Sequence, residues 1–191
     1  MRIRRLARSF LVLLLATGLL AAIRHFLPAD LEGRATVADG DTIELAGERI
    51  RLSGIDAPEF NQTCQRDGTA VACGRLARGH LVALIDGDAV ACKSAGRDRY
   101  DRLLAECFVG TENLNAAMVR DGWALSGGDY PAEEARARSG KRGLWAMGFD
   151  DPRDWRADHP REDAVPDARG FAARIGHAIA AIAKWLKALF A

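Results

Sequence analysis

Residues 39–59, D-G-D-T-I-E-L-A-G-E-R-I-R-L-S-G-I-D-A-P-E, constrain the fold of this chain more than any other stretch. Residues 42–45 read as one strand, 46–48 as a turn and 49–55 as a second strand. In that second strand charged and aliphatic side chains alternate. Arg49 and Arg51 therefore share one face, and Ile50 and Leu52 share the other. Asp39-Gly40 is a strong hairpin signal, and Pro58 stops the last strand. A period of two broken by short turns predicts a β-meander with one face toward a core.

The same stretch carries Asp41, Arg51, Asp56 and Glu59. Singly, each has an ordinary explanation: a turn residue, a solvated strand residue. The set asks for more. Adjacent meander strands bring Asp41 and Asp56 close, and two close carboxylates raise each other's pKa. A hard divalent cation removes that conflict, and Ca²⁺ takes oxygen ligands, carbonyls and water included. Arginine suits bidentate contact with phosphate. A carboxylate pair for a cation, an arginine and a further glutamate behind a proline are equipment for attacking a phosphodiester.

Together with D-R-Y-D-R at 98–102 and G-L-W at 143–145, the D-G-D-T and R-x-x-x-x-D-x-P-E segments resemble the thermonuclease family, of which micrococcal nuclease is the type. The resemblance covers residues 35–155. It implies a Ca²⁺-dependent nuclease acting on DNA or RNA and leaving a 3′-phosphate and a 5′-hydroxyl. Carried onto this chain, it makes Asp41, Asp56 and the backbone carbonyl of Ala57 the metal ligands. It makes Glu59 the general base, or the residue that orients the water, and Arg51 and Arg102 the phosphate clamp. Tyr100 matches a family tyrosine in the same turn, as a weak substrate contact or as packing. The family usually has Thr where Ala57 stands; a backbone ligand survives that change and a hydroxyl contact does not. The rival reading is a catalytically silent module of the same fold that binds nucleic acid or protein. The presence of Asp41, Arg51, Asp56, Glu59 and Arg102 together argues for activity.

At 191 residues the chain is long enough for one domain with appendages. Its net charge of +1 is unevenly spread. Residues 1–29 carry five Arg and no acid, and 168–191 carry four Lys and Arg and no acid. That leaves 18 basic against 26 acidic groups between them, a net of −8. An acidic central domain excludes broad phosphate binding through a basic surface, which needs many Lys and Arg contacts. Any nucleic-acid contact must be local. Arg2, Arg4, Arg5 and Arg8 precede an apolar run over 10–23. That run is short for a membrane span of about 20 residues and suits a signal peptide or signal anchor occupying 1–29. Either exports the rest and leaves the Arg-rich end inside, placing the domain on the periplasmic side of a bacterial cell envelope, anchored or secreted.

Four cysteines fit an oxidising compartment. Of three possible pairings, the local one, Cys64 with Cys73 and Cys92 with Cys107, fits the topology best. Plain buried thiols at Cys92 and Cys107 are the alternative, and the close C-x-x-C spacing of zinc sites is missing. Residues 60–73 read as a loop. Helices are expected over 74–85, with Leu76, Leu81, Leu84 and Ile85 inward, over 112–121, with Leu114, Ala117 and Met118 inward, and from Pro131. His80 reads as a helix-surface residue. Strands over 88–93 and 102–109 flank a turn in which Arg97 and Arg99 are either solvated or contacting, whereas Arg102 is fixed at a strand start. Five strands closed as a meander with three packed helices make an α+β chain with an OB-type barrel over 35–149. Arg51 lies in the strand 2–3 region that such barrels use for nucleic acid. Residues 150–167 read as a charged, Pro-containing linker. Residues 168–191 read as an amphipathic helix, which either packs on the barrel or lies on anionic lipid. The membrane contacts are thus the N-terminal segment and this helix, and no protein partner is expected.

Overall fold

Five strands are long enough to build the barrel: β1 (Leu31–Val37), β2 (Thr42–Leu45), β3 (Glu48–Leu52), β7 (Ala89–Arg97) and β8 (Leu103–Val109). This computed structural model describes residues 30–160 apart from 99 and 101, together with 14, 17 and 18. The chain divides into two units, Met1–Trp155 and Arg156–Ala191. The expected targeting segment, the end of the expected linker from 161, the amphipathic helix and Arg99 lie outside the described residues, as does all but three positions of 1–29. Among the described residues no helix is long and apolar enough to cross a membrane.

The sheet runs β3-β2-β1-β7-β8, and a parallel pairing of β3 with β8 closes it. Closure removes the open edges that would otherwise recruit other strands. β2 and β3 are joined by Ala46-Gly47, both at positive φ (54° and 80°), the turn that matches strand twist. A register shift between Ser94 and Gly96 bends β7 around the barrel. β1 begins at Leu31, ahead of residue 35, and alternates half-buried with exposed side chains.

Inside the barrel Ile43, Leu45, Ile50, Leu52 and Val90 are buried. They meet Leu81 and Ile85 of α1 (Cys73–Ile85) and Leu114 and Met118 of α2 (Leu114–Arg120) in one cluster. α1 buries Cys73, Gly74, Ala77, Leu81 and Ile85. Leu76, expected inward, is 40% exposed. The Cys73–Ala77–Leu81–Ile85 stripe faces the core, and Leu76 sits one residue, about 100° of rotation, off that stripe. Asp86 at φ 45° ends the helix. Asn113 caps α2 by accepting from the Ala116 N–H at 3.0 Å, and Pro131 opens α3 (Pro131–Ser139).

Residues 60–73 are not a bare loop. They hold a small hairpin, β5 (Cys64–Arg66) and β6 (Thr69–Val71), turned by Asp67-Gly68, both at positive φ. The bridges are Cys64–Cys73 and Cys92–Cys107, the local pairing. β4 (Ile55–Asp56) pairs with β10 (Leu125–Ser126), and β9 (Glu112–Asn113) pairs with β8. A fourth helix, α4 (Pro152–Asp158), begins inside the stretch that reads as a linker. His80 is half-buried rather than free on a surface: its Nε2 lies 3.0 Å from Asp121 Oδ2 and ties α1 to the end of α2. In the short 3-10 turn Gly143–Ala146 the fully buried residue is Leu144, while Trp145 is half-buried against Phe149 and Arg138.

Candidate active site

Asp41 stands just before β2. Its backbone N–H donates to Asp39 Oδ1 at 3.1 Å and its carbonyl accepts from the Leu52 N–H at 2.8 Å. These bonds aim the side chain inward at the β2–β3 end, where it is 4% exposed. Arg51, on β3 opposite Thr42, reaches it with a fork: Nη1 donates to Oδ1 at 3.1 Å and Nη2 lies 2.9 Å from Oδ2. The same Nη2 donates to Asp56 Oδ1 at 2.9 Å. Asp56 is 5% exposed and is held in β4 opposite Leu125. Asp41 Oδ1 also accepts from Thr42 Oγ1 at 3.0 Å, and Oδ2 from the Ala57 N–H at 3.3 Å. Asp41, Arg51, Asp56 and the Ala57 backbone therefore form one cluster.

Burial pushes the Asp41 carboxyl up to about 7; Arg51 pulls it down, and the like charge of Asp39 adds to the rise. The sequence points to Asp56 as the repelling neighbour; burial leads instead, and the like charge that adds to it is that of Asp39, while Arg51 bonds both Asp41 and Asp56. Two buried carboxylates share one guanidinium, and the ligand atoms they offer are oxygens. That donor chemistry fits a hard cation such as Ca²⁺. Among the described residues no group of three or more His, Cys, Asp or Glu forms a cage. A third ligand would have to come from the backbone, the role read for the Ala57 carbonyl.

Glu59 follows Asp56 by three residues and is half-buried. Its N–H donates to Gln62 Oε1 at 3.1 Å, and its carbonyl accepts from the Gln62 N–H at 2.7 Å. Two glycines let the helix α1 and the β1–β2 turn press on this segment. A Cβ at Gly74 would collide with the Glu59 carbonyl oxygen, and one at Gly40 would meet the Ala57 Cβ at 2.7 Å. Gly40 is thus required for close approach, although the Asp-Gly pair suggests a turn requirement.

Arg102 lies one residue before β8. The Ile50↔Leu103 and Arg51↔Leu104 pairing sets it beside Arg49, on the sheet face that carries Arg51. Its guanidinium is held by Asp98: Nε donates to Oδ2 at 2.8 Å and Nη2 lies 2.7 Å from the same oxygen. Asp98 Oδ1 accepts from the N–H groups of Tyr100 and Arg102 at 2.9 and 3.0 Å. Tyr100 is 64% exposed, with Arg102 Cζ 5.6 Å from its ring centroid. Arg97 is drawn to Glu48, 3.1 Å away.

Sequence reasoning missed Asp98, Gln62 and Arg153. The first had a readable signal, an acid four residues before Arg102 in a tight turn. Gln62 had none, because its partners are distant in the chain. Arg153 Nε lies 3.6 Å from Asp56 Oδ2, from a stretch that reads as linker.

Residues 49–147 match the family described as staphylococcal nuclease homologue. The succinoglycan biosynthesis protein ExoI of Rhizobium meliloti is 36% identical over 121 residues, 59% of this chain and 63% of the relative. An Escherichia coli protein named an uncharacterized endonuclease is 37% identical over 132 residues, 63% of this chain and 80% of the relative. A probable staphylococcal-like nuclease of Oryza sativa subsp. japonica is 33% identical over 126 residues, 61% of this chain and 31% of the relative. The chain thus spans just under two thirds of the first relative and less than one third of the last. The matched stretch contains Arg51, Asp56, Glu59 and Arg102, with Asp41 ahead of it. By the closed five-strand barrel and by this match, the chain belongs to the staphylococcal nuclease homologue family and carries that family's nuclease domain.

Proposed function

We propose that the protein is an exported, Ca²⁺-dependent nuclease that hydrolyses phosphodiester bonds of DNA or RNA. The observation that carries this reading is the single guanidinium of Arg51 held on two buried carboxylates, Asp41 and Asp56, with Glu59 following three residues after Asp56. The names of the E. coli and rice relatives, an endonuclease and a staphylococcal-like nuclease, support it.

Asp41, Asp56 and the Ala57 carbonyl would hold the cation, which supplies Lewis acidity toward a phosphoryl oxygen. Arg51 has five N–H donors, and the carboxylates occupy only part of them. It can keep both acids in place and still meet a phosphate. Arg102, oriented by Asp98, offers a second fork from the same face. Charge that builds on the phosphoryl oxygens in the transition state meets both. Glu59 takes the proton of the attacking water as the new P–O bond forms, and the bond to O5′ breaks with the departing oxygen taking a proton from solvent. The products are a 3′-phosphate and a 5′-hydroxyl. Tyr100, exposed beside Arg102, is available at the rim to touch the substrate. Export is supported by the Arg-rich, apolar N-terminal stretch and by two disulfides, which persist in oxidising compartments.

Full-length protein should degrade plasmid DNA or RNA with Ca²⁺ and stop on addition of a chelator. Glu59→Gln should lower the rate by about 10²–10⁴. Undiminished cleavage in chelator, or a Gln variant as fast as the parent, would overturn the mechanism.

A further inference from the structure

Two contacts from one short segment converge on the site. Gln62 is fully buried, and both ends of its amide are bonded. Oε1 accepts from the Glu59 N–H at 3.1 Å, while Nε2 donates to the Asp150 carbonyl at 2.8 Å, across 88 residues of chain. Immediately after Asp150, the Asp151 carboxylate accepts from the Arg153 N–H at 2.8 Å and its carbonyl accepts from the Trp155 N–H at 2.9 Å. Asp151 therefore caps α4, and Pro152, which has no N–H to satisfy, occupies its first position. The cap determines where the Arg153 backbone sits. From there its Nε lies 3.6 Å from Asp56 Oδ2, while Arg51 holds the other oxygen of that carboxylate.

Residues 150–153 thus touch the site twice, at the backbone that carries Glu59 and at Asp56 itself. Both contacts come from beyond residue 147, where the family match ends. The Arg153 side chain is 66% exposed, so it is not part of the core and its removal leaves no packing defect. A polar cavity of about 150 Å³ lies beside Asp56, lined also by Asp151 and Arg153. Arg51 donates to one oxygen of Asp56, and the Arg153 cation stands 3.6 Å from the other, where its charge bears on that carboxylate.

We propose that residues 150–153 are a positioning strut for the active site: through Gln62 they set the Glu59 turn, and through Arg153 they set the outer oxygen of Asp56. Arg153 and Gln62 act through Asp56 and Glu59 and need touch no substrate. The kinetic part of this proposal rests on the nuclease reading above; the binding and exchange parts do not. Outer groups that orient a ligand typically change metal affinity or activity by about 10–100-fold.

The test uses full-length Arg153→Ala, Arg153→Lys and Gln62→Glu. Arg153→Ala should melt with the parent, lose about 10-fold in kcat with KM for DNA unchanged, and show by calorimetry a Ca²⁺ affinity displaced from the parental value. Arg153→Lys, which keeps the charge, should bring both quantities part of the way back to the parent. Gln62→Glu keeps the acceptor for Glu59 but loses the donor to Asp150, so the Glu59 amide should exchange faster with solvent while core amides do not change. Parental kcat and Ca²⁺ affinity in Arg153→Ala would overturn the strut. So would a rise in KM alone, which would make Arg153 a substrate contact. If Gln62→Glu does not fold, the Arg153 pair decides. If the parent cleaves nothing, the nuclease reading fails, and Ca²⁺ affinity and Glu59 exchange judge the strut by themselves.

Discussion

At the scale of single residues, the placement of Arg102 depends on Asp98. Burial opposes ionisation of the Asp98 carboxyl, but the N–H groups of Arg102 and Tyr100 and the Arg102 guanidinium outweigh it and hold the pKa below the usual range. A carboxylate depressed in this way favours the folded state at every pH above its unfolded value of about 3.9. That contribution is lost as pH falls through the lower, folded value. Asp98→Asn should therefore melt below the parent at pH 7, and the difference should close in acid, below about pH 4. A gap that persists in acid would mean that the Asp98 interaction is not ionic. Arg102→Lys and Arg51→Lys keep the charge and lose the planar fork, so kcat should fall by about 10²–10³ while KM moves less. A change confined to KM would make the arginines uniform binders.

At the scale of elements, the β5–β6 hairpin and the start of α1 are held together by Cys64–Cys73, and Leu144 completes the small cluster around that bridge. The hairpin was not readable because its strands are three residues long and mostly exposed, so they show no hydrophobic period. Only Asp67-Gly68 marked it. The longer elements were readable, because Thr42–Leu45 and Glu48–Leu52 alternate and α1 carries a stripe. Replacing Cys64 and Cys73 by Ser should lower stability by about 2.5–3 kcal/mol on the chain-entropy account. Urea unfolding checks this, and a loss well under 1 kcal/mol would show that the unfolded chain is already held compact there.

At the scale of the whole molecule, charge separates the ends from the middle: five Arg before residue 30, four basic groups after 167, and an acidic centre. The basic ends carry the expected membrane contacts, each Lys or Arg near an anionic surface contributing about 1 kcal/mol. The full-length protein should sediment with anionic vesicles at low salt and be released at high salt, and Lys184→Glu with Lys187→Glu should weaken that binding. Binding unchanged by these substitutions would return the contact to the N-terminal segment. Recovery of the protein wholly from the cytosol of the producing cell would overturn export.

The local pattern of residues marked four of the barrel strands, the helix stop at Asp86 and the favoured bridge partners, because alternation, turn chemistry and short spacing act between near neighbours in the chain, whereas β1 (Leu31–Val37) is not among the strands that pattern predicts. The same stretch, 39–59, held Asp41, Arg51, Asp56 and Glu59 in legible form. What only the tertiary structure decided is who holds them. Arg51 bonds Asp41 and Asp56 after β2 and β3 pair, and Arg102 joins the same face once β3 closes on β8. Gln62 finds Asp150, and Arg153 finds Asp56, only when residues 150–153 are brought back to the barrel. Partners this far apart leave no period or spacing in the sequence, since they become neighbours only through closure of the sheet and return of the chain.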